Sequence, residues 1–365
     1  IVGAAKLSLG GGIGNGVIPQ GSIYKSGKIS YKPIALWGTV VLDWEAVVSS
    51  KGKENAFVDV TVDSVEGMLT AFTNNEERQF FGGALGTLGT LDGNAPIDNG
   101  NATWSFTLSA ATYFYPNFET GNVINFGTDG TPFEITRVVR GTGVITVDRR
   151  PGYSFNPAVS VVGSDQVFMQ NSRNKELIGL RDIADTTDNG SNTLFGLLVQ
   201  PRFEARRYNG GSKPLIPDML TEMIELQSED TGEVYTDIWM NAIQYAALSN
   251  QLEGKKEYTQ LKSSDKRFGD MGWKMLTFTS RYGDVRVGTA RFCPRDRVYL
   301  TNKNYMEVRE RPEFGWLTFD KNKFLRDFKE GDTPKYKAFY GGFEQFFHHP
   351  AHLGVIHSLE VPTVG

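Results

Sequence analysis

Apolar residues at helical spacing between positions 53 and 93 predict the longest single element of the chain. One helical stripe, at i, i+4, i+7, i+11 and i+14, contains Val58, Val62, Val65, Leu69 and Phe72. A helix over 56–81 would be about 39 Å long at about 1.5 Å per residue, whereas globular helices average about three turns. The pattern therefore indicates a rigid structural rod, whose stripe we expect to pack on strands from the distant C-terminal end. We interpret the glycine run at 82–93 as the hinge where the rod ends.

Before and after this helix, the pattern is mostly that of strands and turns. Residues 1–22 are rich in glycine and predict an extended arm. Alternating β-formers in 23–50 predict a long two-stranded excursion. Short apolar runs separated by turn signals predict a small β-barrel inserted over 103–167.

Helical spacing returns in the second half of the chain. It predicts helices at 217–228 and 237–252, with Asp237 as the N-cap of the second. Before the first of them, residues 168–210 are interpreted as irregular, with a loop at 185–190 that precedes a strand at 194–199. This order of elements predicts an α+β protein with an all-β insert.

Composition narrows the classes of function. The chain has 365 residues, with 38 basic and 42 acidic side chains. It therefore lacks the excess of basic side chains that is typical of proteins that bind nucleic acid tightly. Cys293 is the single cysteine, which excludes an intramolecular disulfide and a cysteine-rich zinc site within one chain. No apolar stretch reaches the length of about eighteen residues that predicts a membrane-spanning helix.

The histidines are the strongest candidates for a metal site, because all four fall within ten residues. They are His348, His349, His352 and His357. Pro350 would break a helix that pairs His348 with His352. We therefore favour strand-and-turn roles for them and predict neither a metal nor a cofactor.

No constellation of catalytic residues is recognisable, and the chain is predicted not to be an enzyme. The G-x-S-x-G nucleophile motif is absent, and Pro294 directly follows Cys293, which suits packing at a strand end better than reactivity. Glu76 and Glu77 are adjacent on the long helix and point in different directions. That arrangement indicates that both carboxylates lie on solvated faces of the helix and do not form a catalytic acid–base pair.

Three arginines form the best basic group of the chain: Arg202, Arg206 and Arg207. Such side chains could contact phosphate or pair with carboxylates across a subunit boundary. Because the overall balance is acidic, we favour salt bridges at an interface.

The order of elements in the first hundred residues carries a family resemblance. A glycine-rich arm is followed by a loop with Lys25 and Lys28, and then by a long helix that ends in EERQFFGGALG at 76–86. This series resembles the N-arm, extended loop and spine helix of tailed-bacteriophage major capsid proteins, the Hong Kong phage fold. Later segments resemble the axial (A) domain and the last peripheral (P) domain strand of that family: 194–197, 206–211, 236–241, 292–300, 314–317 and 347–356.

The resemblance implies a P-domain built on the spine helix, an A-domain at the capsomer axes and the β-barrel as an insertion. It divides the chain into an arm (1–22), an extended loop (23–50), P-domain (51–102), insert (103–167), P-domain connection (168–213), A-domain (214–320) and a return to the P-domain (321–365). Some members of the family crosslink their subunits through a lysine of the extended loop. The resemblance therefore implies Lys25, Lys28 and Lys32 as candidates, which together with the three arginines are the predicted intersubunit residues.

The function that the resemblance implies is structural. The chain would be a head protein that assembles into hexamers and pentamers of an icosahedral shell around double-stranded DNA. Its partners would be further copies, scaffolding, portal and decoration proteins, and packaged DNA held non-specifically, with no membrane. It would be located in the virion after assembly in the host cytoplasm. The alternative is a β-rich phage tail or surface protein that binds a glycan or host receptor, and the size of the assembly separates the two.

Overall fold

Four α-helices and a larger number of strands make up the part of the chain that the computed structural model describes. The described residues are 2–4, 25–27, 29, 33–43, 54–100, 102–110, 112–127, 131–149, 165–251, 276–280, 283–310, 314–318, 325–327 and 335–361. The helices are α1 (Glu54–Phe81), α2 (Leu180–Asp185), α3 (Pro217–Thr231) and α4 (Ala242–Gln251).

The strands fall in two halves of the chain. The first half contains β1 (Val2–Ala4), β2 (Lys25–Gly27), β3 (Ile34–Asp43), β4 (Thr87–Thr90), β5 (Ile97–Gly100), β6 (Thr103–Thr107), β7 (Val123–Phe126), β8 (Phe133–Val139), β9 (Val144–Arg149) and β10 (Gln166–Met169). The second half contains β11 (Thr193–Leu194), β12 (Leu197–Leu198), β13 (Arg206–Asn209), β14 (Asp237–Met240), β15 (Leu276–Ser280), β16 (Gly283–Thr289), β17 (Val298–Thr301), β18 (Met306–Glu310), β19 (Gly315–Trp316), β20 (Leu325–Asp327), β21 (Lys335–His348) and β22 (Gly354–His357).

The long helix α1 lies on a five-stranded sheet whose central strand, β21, comes from the C-terminal end of the chain. β21 pairs antiparallel with the whole of β3 on one side. Its other side pairs in turn with β18, β19 and β20. The periodicity of the sequence predicts a helix at 56–81, and the structure has one of 28 residues that starts two positions earlier.

The predicted apolar stripe of α1 is covered only in part by the described chain. Val65 and Met68 pack against buried residues of β3 and β21, and Leu69 is half-buried. Val62 is 44% exposed, and the side chain of Val58 lies outside the described residues. The described contacts of α1 therefore begin near its middle and continue toward its C-terminal end.

A six-stranded mixed sheet, in the order β13-β22-β17-β14-β16-β15, forms a second core. Helix α3 supplies Leu220, Met223 and Ile224 to this core, where they meet Val298 and Ile356 of the sheet. All five side chains are fully buried. Helix α3 and strands β14 to β17 lie in the region predicted to be the A-domain (214–320), whereas β13 and β22 come from the segments predicted to be the P-domain connection and the return to the P-domain.

The predicted helix at 237–252 is wrong in its first turn. Asp237 begins β14, an interior strand that runs parallel to β16 and antiparallel to β17. Ile238 of this strand is completely buried, and burial within the sheet outweighs the local preference of Asp237 for a helix cap. Asn241 is the residue that caps α4, because its Oδ1 accepts a hydrogen bond from the backbone N–H of Ile243 at 3.1 Å.

The all-β unit is larger than the predicted insert at 103–167. It is a seven-stranded sheet in the order β4-β10-β7-β8-β9-β6-β5 around one apolar core. An antiparallel bridge joins Leu91 to Leu108, just beyond the ends of β4 and β6, so the sheet curls until these two strands meet. The segment 82–93, predicted to be a hinge, therefore contains a strand of this sheet.

The segment between the all-β unit and the second core is more regular than predicted. It contains helix α2 and a tight hairpin of β11 and β12. The hairpin turns through Phe195 and Gly196, which have φ angles of 51° and 77°. The sequence predicts one strand at 194–199, and the structure divides that segment between the two short strands and the turn of the hairpin. Periodicity missed α2 because this helix is shorter than two turns.

Of the predicted arm (1–22) the structure describes residues 2–4, and they pair with the start of the predicted extended loop. β1 pairs antiparallel with β2, with Val2 opposite Gly27. Lys25 lies in β2, whereas Lys28 and Lys32 lie outside the described residues.

Candidate assembly surfaces

One face of the five-stranded sheet turns away from α1 and carries large apolar side chains. Along β3, Leu36, Val40 and Leu42 are buried, whereas Trp37 is 51% and Val41 is 47% exposed. This alternation follows from the two-residue period of a strand, which sends successive side chains to opposite faces.

Phe343 of β21 extends this exposed face. It stands opposite Ala35 in the strand register and is 36% exposed. Trp37 stands opposite Gly341, where an added Cβ would lie 2.5 Å from a Trp37 ring carbon, so the indole lies close over the backbone of β21. We call Trp37, Val41 and Phe343 the outer face. An exposed apolar group of this kind on a sheet is typical of a protein–protein contact.

The other face of the sheet packs against α1. This contact is about two helical turns long, and aromatic rings lie at both of its ends. Phe72 contacts Tyr340 edge-on, with 5.4 Å between ring centroids. Phe80 contacts Phe346, with 4.5 Å between centroids. Glu76 lies midway between Phe72 and Phe80, at i+4 from the first and i−4 from the second, on the same face of the helix.

Glu76 meets a second carboxyl group in this interface. Its side chain and that of Glu344 on β21 are hydrogen-bonded to each other. Burial, with the nearby charges of Glu76 and Glu310, raises the pKa of Glu344 to about 8. Burial also raises the pKa of Glu76, although the hydrogen bond from Glu344 acts in the opposite direction. The prediction that Glu76 lies on a solvated face is therefore wrong, because its partner is a distant strand that local spacing does not reveal.

The C-terminal end of α1 is held by α2 and by the loop that precedes it. Arg78 Nη2 forms a buried ion pair with Glu176 Oε1 at 2.5 Å. Gln79 Oε1 accepts a hydrogen bond from the backbone N–H of Leu177 at 3.2 Å. Asp182 Oδ2 accepts one from the backbone N–H of Ala84, just past the helix, at 2.6 Å.

Gly179 shows how closely the two segments approach. A Cβ at this position would lie 2.4 to 2.7 Å from the carbonyl oxygens of Gln79, Phe80 and Gly82. These carbonyls belong to the last turn of α1 and to the residue that directly follows it, so any side chain at Gly179 would push the helix end and α2 apart. The end of α1 is thus a packed, hydrogen-bonded junction.

Two of the arginines predicted at subunit boundaries have carboxylate partners within their own subunit. Arg206 forms an ion pair with Asp230 at the end of α3. Arg207 lies 3.8 Å from Asp185 Oδ1. Arg202 is exposed in a 3₁₀ turn, Pro201–Phe203. An intersubunit role for these side chains stays a prediction.

The histidines are spread over a strand end, a turn and β22. His348 is buried at the end of β21, and His349 and His352 lie in the turn that follows. His352 stacks on Tyr305 at 3.6 Å between ring centroids. Burial lowers the pKa of His348 and of His349 to about 4, so both rings are neutral near pH 7. Among the described residues, no group of three or more His, Cys, Asp or Glu side chains is arranged to hold a metal ion.

Cys293 is completely buried in the core that joins α2 to the six-stranded sheet. Burial and the charges of Asp296 and Glu77 raise the pKa of its thiol well above the ordinary value. A thiol in this state is unreactive toward electrophiles in the folded protein. Within the described residues, no helix combines the length and the apolar character that crossing a membrane requires.

Comparison with known proteins gives a likeness in structure and none in sequence. No protein-family model matches the chain, and no curated protein is similar to it. A chain of the cyanophage A-1(L) capsid asymmetric unit superposes with a TM-score of 0.55 at 12% identity, over 98% of this chain and 87% of the other. The chain shares the fold of a phage capsid protein.

Two further phage structures align more weakly. A chain of the satellite phage P4 procapsid aligns with 99% of this chain over 82% of its own length, at a TM-score of 0.38 and 8% identity. The capsid of Myoviridae phage XM1 matches 49% of this chain and 60% of its own, at a TM-score of 0.29 and 12% identity. The assignment of the capsid fold depends on the cyanophage structure alone.

Proposed function

We propose that this chain is the major capsid protein of a tailed double-stranded DNA bacteriophage. The observation that carries the proposal is the likeness to the cyanophage A-1(L) capsid chain over 98% of the sequence. The element order of the sequence supports the same family independently, and the described residues contain no constellation that suggests catalysis. In this account the role of the chain is structural, and its partners are mainly further copies of itself.

The outer face supports a contact with a second copy of the chain. Trp37, Val41 and Phe343 expose apolar area that the isolated subunit leaves in water. Burying a large apolar side chain contributes about 1.5–3 kcal/mol. A closed shell repeats such a contact many times, so a modest contribution per subunit becomes a stable assembly.

The free edge of β3 adds backbone groups to this surface. Within the described residues, no strand pairs with the edge of β3 that faces away from β21. An open edge of ten residues offers hydrogen-bonding groups to a strand of a neighbouring subunit. Edge and outer face are contiguous, which favours one interface that uses both.

The domain roles follow from the same proposal. Helix α1 and the five-stranded sheet correspond to the P-domain with its spine, the six-stranded sheet with α3 and α4 to the A-domain, and the seven-stranded sheet to an inserted barrel domain. Hexamers and pentamers of this subunit would form an icosahedral shell in the virion, assembled in the host cytoplasm. Scaffolding, portal and decoration proteins, non-specific contact with packaged DNA, and crosslinking through Lys25, Lys28 or Lys32 remain predictions of the family resemblance.

The surface is tested by a double substitution, Trp37→Ser with Val41→Ser. We expect a folded subunit that no longer forms closed shells, measured by electron microscopy and by sedimentation. The matched control is Ile97→Ser with Leu198→Ser, two side chains that are 65% and 45% exposed away from the outer face. Normal shells from the Trp37/Val41 variant would contradict the proposed contact.

Deletion of the arm together with most of the extended loop tests the same contact less directly. Removing residues 1–48 would also remove β3, which pairs with β21 along its whole length, so a failure to assemble could come from a damaged subunit. Point substitutions on the outer face leave that pairing intact. Trimers or monomers from the unaltered chain, rather than shells, would favour the alternative of a tail or surface protein.

A further inference from the structure

A pair of carboxyl groups lies in the middle of the interface between α1 and the five-stranded sheet. Glu76 and Glu344 hydrogen-bond to each other between the aromatic contacts of Phe72 and Phe80. Glu344 is only 3% exposed, and its Oε2 has no hydrogen-bond partner in the described part of the chain. Two ionised carboxylates cannot form such a bond, since each would be an acceptor without a hydrogen to share.

Among the described residues, the groups around the pair supply no compensating positive charge. Glu310 on β18 stands directly opposite Glu344 in the strand register, and β3 places the apolar Ile34 on its other side. The arginine two positions along α1, Arg78, is engaged by Asn75 and Glu176. The charges that act on Glu344 come from Glu76 and Glu310, and both are acidic.

We propose that Glu76 and Glu344 share one proton, and that this proton fastens the C-terminal half of α1 to the sheet as a latch. Loss of the proton places two negative charges side by side in an apolar interface, with a third on Glu310 close by. Repulsion and the cost of burying charge then loosen the helix from the sheet. The inference concerns the subunit itself, so it stands or falls separately from shell formation.

The direction of the pH effect follows from the raised pKa of Glu344. In the unfolded chain a glutamate loses its proton near pH 4.3, whereas in the folded protein Glu344 holds it to about pH 8. The stabilising effect is therefore complete at pH values below about 4 and declines as the pH rises toward 8. Above about pH 9 the shared proton is lost, and the contact between Glu76 and Glu344 no longer stabilises the packing of α1 on the sheet.

The test uses hydrogen–deuterium exchange of the full chain at pH 6 and at pH 9, with rates corrected for the intrinsic effect of pH. We expect amides in the last three turns of α1 to exchange at least about tenfold faster at pH 9, the change that one unit of pKa shift produces. Peptides from α3 serve as the internal reference. Equal protection of α1 at the two pH values would overturn the proposal.

Three variants distinguish the latch from a general alkaline effect. Glu344→Gln keeps a donor for Glu76 at every pH, so it should keep α1 protected at pH 9. Glu310→Gln removes one of the negative charges that raise the pKa of Glu344, so the transition should move to lower pH. Glu229→Gln, an exposed glutamate on α3, should behave as the unaltered chain.

The outcome remains decisive if one variant does not fold. Glu76→Gln carries the same test from the helix side of the pair. Infrared spectroscopy gives a second measurement, because a protonated carboxyl has a carbonyl band that a carboxylate lacks. We expect this band to disappear on titration from pH 6 to pH 9 and to be weaker in Glu344→Gln. A profile of Glu344→Gln or Glu76→Gln identical to that of the unaltered chain would contradict the shared proton.

Discussion

Two buried contacts at the end of α1 lie within one turn of each other and have opposite chemistry. Arg78 pairs with Glu176 at 2.5 Å, so positive and negative charge meet in the junction with the loop before α2. Glu76 meets Glu344, so two acidic groups meet in the interface with the sheet. The first contact fixes the helix end permanently, because an arginine side chain stays charged at any ordinary pH. The second contact depends on a proton. The end of α1 therefore stays bound to the loop before α2 at any ordinary pH, whereas its contact with the five-stranded sheet weakens when the proton is lost.

The two contacts also join α1 to different parts of the subunit. The junction connects α1 to the core that contains α2, the six-stranded sheet and Cys293. The carboxyl pair connects α1 to the five-stranded sheet, whose opposite side is the outer face. A change at the carboxyl pair would therefore reach the proposed subunit contact without disturbing the junction.

The largest expected effect comes from breaking the ion pair. Arg78→Met leaves Glu176 buried and without its positive partner, which costs about 3–5 kcal/mol of unfolding free energy. Urea denaturation measures this loss. Arg309→Met is the matched control, because Arg309 and Glu307 form a pair of similar length, 2.6 Å, on the surface and its removal should cost about 1 kcal/mol or less. Equal losses of unfolding free energy for the two substitutions would contradict the conclusion that the buried ion pair stabilises the protein more than a surface pair does.

A second prediction tests the close approach at the junction. Gly179→Ala places a methyl group against the last carbonyls of α1, and overpacking of this kind costs about 1–3 kcal/mol. Gly67→Ala is the opposite case, because no atom of the described residues lies within 4 Å of the added Cβ at that helical position. It should stabilise the protein by about 0.5–1 kcal/mol, since alanine favours a helix more than glycine does. Thermal unfolding should therefore shift in opposite directions for the two variants.

The smallest predicted effect sharpens the contrast between the contacts. If they act separately, Arg78→Met should lower stability at every pH yet keep the faster exchange of α1 at pH 9. Glu344→Gln should do the reverse, with little change at pH 6 and no alkaline loss. Measuring both variants at both pH values tests this independence, and loss of the pH effect in Arg78→Met would show that the contacts form one unit.

Sequence reasoning predicted the parts of the fold that depend on local patterns. The helix at 56–81 is present as α1, and the helix at 217–228 is present as α3, because both have clear apolar periodicity over several turns. Asp237 was misassigned because its segment is a short apolar run, for which helix and strand patterns are alike. The start of the all-β unit was missed because β4 lies within a glycine run that resembles a loop.

The carboxyl pair could not be predicted from adjacent residues, because Glu76 and Glu344 are far apart in the chain. One local signal was available. Phe72 and Phe80 flank Glu76 at i−4 and i+4, so all three share a helix face, and aromatic neighbours on both sides indicate a buried position. The identity of the partner depended on β21 pairing along β3, which only the folded chain shows.

The account is tested most directly by imaging particles of the purified full chain by cryo-electron microscopy. We predict closed shells in which a neighbouring copy covers Trp37, Val41 and Phe343 of each subunit. Small oligomers or monomers, with that face open to solvent, would contradict the proposed capsid function.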